Sequence, residues 1–91
     1  DYEETVVFPY VESMLDDNLD GIMTKLRAEM PNTAEKDFRF ITFLILGFDT
    51  KTIARMMGYN VSTVYTKRHN IKHNILRWNS EHQALFSELI S

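Results

Sequence analysis

From Phe8 onward the apolar residues fall at positions 8, 11, 15, 19, 22, 26 and 30, at spacings of three and four throughout. That period is the signature of an amphipathic helix. Gly21 costs about 1 kcal/mol inside a helix, and Asp16, Asp17 and Asn18 are good caps, so two pieces are expected, over residues 10–15 and 18–30. Pro9 suits a first helical turn, and the Met30-Pro31 pair ends the second piece. Residues 1–7 are acidic and then β-branched without a helical period, the pattern of a linker or short extended arm. Asn32 and Glu35 have the spacing of a capping box, opening a helix over residues 34–46. Its Phe38, Ile41, Phe43, Leu44 and Ile45 are spread nearly all round, as in a core helix. Gly47 closes it.

The next two elements form a corner. Residues 50–57, capped by Thr50 or Asp49, place Ile53, Ala54 and Met57 on one face. Gly58 follows, a residue that enters a left-handed turn at no steric cost. Asn60 and Ser62 offer cap oxygens for a helix over residues 61–76, with Val64, Ile71 and Ile75 as its apolar stripe. Ala54, four residues before Gly58, is small enough for a close helix crossing. Ser80 and Gln83 form a second capping box and start a last helix over residues 81–90. The pattern describes a helix-turn-helix, whose second helix enters the DNA major groove in proteins that bind DNA.

Lys51, Ile53, Ala54, Gly58, Thr63, Val64, Arg68 and Ile71 match the run K-E-I-A-x-x-L-G-I-S-x-x-T-V-x-x-x-R-x-x-I, with Ser62 and Asn70 at its variable positions. On these residues the chain resembles the LuxR-type (GerE-like) DNA-binding domain, over residues 32–76. The resemblance implies an all-α fold: a small helical bundle containing a LuxR/GerE-type helix-turn-helix, with extra N-terminal helices. It divides the chain into an acidic helical lead-in, residues 1–31, and a DNA-binding domain, residues 32–91. It further implies a cytoplasmic output domain of a bacterial transcription regulator, either soluble or membrane-anchored as a whole, with a sensor domain upstream on the same polypeptide. Thr52 stands where the family usually has Glu and Met57 where it has Leu. Tyr65 and His69 replace commoner Lys or Ser on the reading face, so the target sequence does not transfer.

Charge sharpens this picture. The net charge is −3, which is unusual for a DNA binder until it is divided along the chain. Residues 1–37 hold ten acids and three bases, a net of −7, whereas residues 38–79 hold seven bases and one acid, a net of +6. Binding responds to the local field, which is screened over about 8–10 Å. The acidic lead-in reads as a coupling or docking element. There are no cysteines, hence no disulfide or thiolate site, and no apolar run approaches the roughly 20 residues of a membrane span. The chain starts at Asp1 rather than Met, which suggests a fragment of something longer.

Candidate chemistry follows from faces. Tyr65, Thr66 and His69, opposite the apolar stripe, are expected at base edges. Thr50, Lys51, Ser62, Thr63, Lys67 and Lys72 are expected at phosphates. Arg68, at the edge of the core, has either a phosphate or Asp37 as partner. Met14, Met23, Met30, Met56 and Met57 read as gap-filling core residues. His69, His73 and His82 lack the acid or thiolate neighbours of a metal set and read as surface polar residues. No metal or cofactor is expected, and the absence of catalytic motifs argues against an enzyme. Leu85, Phe86, Leu89 and Ile90 form a stripe that either caps the core or makes a homodimer, as the corresponding helix commonly does in the family. Two rivals remain: a sigma-factor region-4-like promoter binder, which the extra N-terminal helices disfavour, and a helix-turn-helix used only for protein–protein contact.

Overall fold

Six helices and no strand occur among the described residues, 6–90, of the computed structural model: α1 Phe8–Asn18, α2 Ile22–Glu29, α3 Glu35–Ile45, α4 Thr50–Met57, α5 Val61–Leu76 and α6 Gln83–Ile90. The fold is all-α. No helix among these residues is long and apolar enough to cross a membrane. The chain divides into two compact units, Asp1–Arg39 and Phe40–Ser91, with the division inside α3.

In the first unit α1 packs on α2. The expected extended arm lies partly outside the described residues. Its last two residues, Val6 and Val7, form a wide π-type turn that continues into α1, with Val7 in helical geometry (φ −70°, ψ −47°). Pro9 occupies the first turn of α1. The break between α1 and α2 comes at Leu19–Gly21, later than expected. Asp20 and Gly21 both take left-handed geometry, with φ of 56° and 74°. Asp16 does cap α2, but from across the break. Its carboxylate accepts the Met23 and Thr24 N–H groups at 2.6 and 3.2 Å and the Thr24 hydroxyl at 2.7 Å. Burial pushes the Asp16 carboxyl upward, and these three donors together outweigh it and hold its pKa below the ordinary value.

Ile22, Met23 and Leu26 of α2 are buried, whereas α1 has no buried residue. Arg27 joins three segments. Its guanidinium donates to Glu12 of α1 at 2.7 Å and to Glu35 at 2.8 Å, and it lies 4.4 Å from the centroid of the Phe38 ring. Hydrogen bonds from Arg27 hold the Glu35 carboxyl below its usual range. Glu35 is therefore turned to Arg27 rather than back to Asn32, and the expected capping box does not form. The Ala34 carbonyl instead accepts from the Asp37 and Phe38 N–H groups at the start of α3.

In the second unit Phe40, Ile41, Thr42, Phe43 and Leu44 of α3 are buried, as a helix apolar on most sides predicts. Ile53, Ala54, Val64, Ile75, Phe86 and Ile90 complete that core, with α5 packed on both α4 and α6. The methionine expectation holds for Met23, which is 1% exposed, but Met14 and Met56 are 47% and 55% exposed. Met14 lies on α1, which buries no residue, and Met56 lies off the side of α4 that buries Ile53 and Ala54. The last helix starts at Gln83, two residues late. The Ser80 hydroxyl oxygen accepts from the His82 N–H at 3.3 Å, and a turn precedes the helix.

Candidate nucleic-acid interface

The corner between α4 and α5 is built from short-range hydrogen bonds. Asp49 caps α4 by accepting the Thr52 N–H at 2.8 Å, and hydrogen bonds from Thr52 hold its carboxyl below the ordinary value. At the other end Gly58 takes φ 73°, and the Gly58 and Tyr59 N–H groups both donate to the Ala54 carbonyl. This ends α4 and turns the chain. Asn60 then caps α5, its Oδ1 accepting the Thr63 N–H at 2.8 Å and the Ser62 hydroxyl at 2.7 Å.

That last bond bears on Ser62. Its hydroxyl hydrogen is engaged within the cap, so the side chain presents lone pairs outward, a poor match for a phosphate oxygen. At the start of α5 the Thr63 N–H is taken by Asn60, which leaves those of Val61 and Ser62 without an intrahelical acceptor. Thr50 and Thr63 are half-buried and Lys51 is exposed.

Along α5, Val64 and Ile75 are buried, and Ile71 and Arg68 are half-buried, as their stripe predicts. Thr66 and His69 are exposed on the opposite side. At about 100° per residue, Tyr65 stands about 100° from the stripe, on a flank rather than opposite it, and it is 60% exposed. The Thr66 hydroxyl donates to the Ser62 carbonyl at 3.1 Å, which leaves its methyl group and oxygen lone pairs facing out. Thr66 is thus suited to a thymine methyl or a base amino group.

Lys67 and Lys72 are five residues apart and therefore about 140° apart around the helix. They border the exposed face on opposite sides. The Lys67 ammonium lies 5.3 Å from the centroid of the Tyr59 ring at the corner. Lys72 lines a small groove with Ile75, Leu76, Ser87 and Ile90 on the α6 side.

The C-terminal half of α5 carries residues that the hydrophobic pattern does not single out. His69, Asn70, His73, Asn74 and Arg77 line a shallow depression of about 380 Å³. The two imidazoles are 4.4 Å apart between ring centroids. The Trp78 indole N–H donates to Asn74 Oδ1 at 3.0 Å. The four-residue spacing of the histidines is the signal the sequence offers, but there it suggests a metal pair. Among the described residues no three His, Cys, Asp or Glu side chains come together.

The expected dimer stripe on α6 splits. Phe86 and Ile90 are 0% and 1% exposed, and Phe86 meets the Trp78 ring edge-on at 5.5 Å. Four residues apart, they form the side of α6 that closes the core. Only Leu85, 38% exposed, and half-buried Leu89 remain near the surface.

Comparison of the chain with family models, curated proteins and solved structures returns no match.

Proposed function

We propose that the chain binds double-stranded DNA sequence-specifically, as the output domain of a bacterial transcription regulator, with α5 in the major groove. The observation that carries this reading is the α4–Gly58–α5 corner, together with the exposed, carboxylate-free face of α5 between Lys67 and Lys72. In this reading Thr66 and His69 contact base edges and Tyr65 a thymine methyl or sugar at the groove wall. Lys51, Lys67, Lys72 and the N-terminal amides of both helices hold phosphates on the two bordering strands. Thr50 and Thr63 act as secondary phosphate contacts. The chain is a binding module rather than an enzyme, in the cytoplasm, and an upstream sensor on the same polypeptide supplies the signal. A homodimer through α6 is left with Leu85 and Leu89 as its apolar contacts.

The test is selection from random duplexes followed by sequencing. A recovered motif supports major-groove reading. Lys67→Ala should then weaken all duplexes about equally, whereas Thr66→Ala and His69→Ala should relax preference at particular base pairs. No duplex affinity at low salt would reject the reading in favour of a protein-contact module.

A further inference from the structure

The depression on the second half of α5 has a composition that the base-reading residues do not account for. The chain carries no Asp or Glu between Asp49 and Glu81, and among the described residues no carboxylate lines the depression. Asn74 has its oxygen engaged by the Trp78 indole N–H at 3.0 Å, which turns its NH₂ group to the outside. Arg77 offers five N–H donors and no acceptor. His73, within one turn of both, adds a ring N–H. Such a surface is rich in donors and suits a ligand dominated by acceptors. A phosphodiester is one; a base edge, which mixes donors and acceptors, is a poorer match.

Length points the same way. With sixteen residues, α5 is about 24 Å long at 1.5 Å per residue. That is twice the roughly 12 Å width of the major groove. If the turns bearing Tyr65, Thr66 and His69 lie in the groove, the stretch from His73 to Arg77 emerges over a sugar–phosphate strand. We propose that His73, Asn74 and Arg77 form a second phosphate-backbone site, gripping the DNA strand where α5 leaves the groove. The proposal rests on the DNA-binding reading and adds a contact surface beyond the helix-turn-helix corner.

The experiment is a salt titration of duplex binding by the whole chain, wild type against Arg77→Gln and Asn74→Asp. Both side chains are exposed, and Asn74→Asp keeps an oxygen for the Trp78 indole, so circular dichroism should show the fold retained. Each phosphate contact contributes about −0.9 to the slope of log K against log salt. Arg77→Gln should make the slope shallower by about 0.9, so that going from about 50 to about 200 mM salt costs it about 3.5-fold less affinity than wild type. The change should be the same on every duplex, and Asn74→Asp should weaken binding by placing a negative charge against the phosphate. An unchanged slope, or a loss confined to particular base pairs, overturns the proposal. Wild-type binding that responds to Lys67→Ala but not to Arg77→Gln sinks this site alone. No duplex binding by the wild type removes both this site and the reading beneath it.

Discussion

A single backbone angle determines where the helix-turn-helix bends. Gly58 has φ 73°, and a Cβ built there would meet no atom within 4 Å. Any substitution cost at Gly58 is therefore conformational and not a clash. Gly58→Asn, which tolerates left-handed geometry, should be close to neutral, while Gly58→Ala should cost about 1–2 kcal/mol and Gly58→Val more. Urea denaturation orders the three, and a harmless Gly58→Val would mean that the corner does not need this angle. Asn60→Ala should cost about 1 kcal/mol by removing the acceptor at the start of α5. These positions are legible in the sequence because their causes are local. A glycine after an apolar run and an Asn two residues later need no knowledge of the rest of the chain. Ser62 is not legible in the same way. It is a good phosphate contact by type, and only the geometry shows its hydroxyl donating to Asn60.

At the scale of elements, the boundaries that pattern misplaces are those decided by partners distant in sequence. Asp16–Asn18 cap well, which points to a break between α1 and α2 there, yet the break lies three residues later. Asp16 reaches seven residues forward to the Met23 N–H, a contact no short-range rule contains. Glu35 likewise has the spacing of a capping box, but its ion pair with Arg27 draws it away. The Asp16 cap leads to a pH prediction whose sign is determined. Its folded pKa lies below the ordinary 3.8, so its contribution is fully present above that value and is lost as pH falls through the folded pKa. Asp16→Ala should destabilise the chain by about 1 kcal/mol at pH 7. Asp16→Asn, which keeps a neutral acceptor, should lessen the loss of stability on acidification. Urea midpoints at pH 7 and pH 3 check both, and an equal acid-induced drop in wild type and Asp16→Asn would dissociate the carboxylate from the effect.

For the molecule as a whole, total charge and local charge make opposite predictions about DNA. A body of net charge −3 treated as uniform is repelled by a duplex, and added salt would relieve the repulsion and strengthen binding. The charges are not uniform. The −7 of residues 1–37 and the +6 of residues 38–79 follow from counting side chains along the chain. What counting does not supply is that Lys67 and Lys72 stand on opposite borders of one exposed helix face, which follows from five residues of helical rotation. With a screening length of about 8–10 Å, a phosphate meeting that face feels the cations that border it more than any charge beyond that range. Salt should therefore weaken binding. If about four phosphates are neutralised, log K should fall against log salt with a slope near −3.6, at about −0.9 for each. A positive slope would mean that the total charge governs the encounter, and a slope near zero would mean that the lysines do not meet phosphates. Either result would leave α5 as an exposed helix with a different partner.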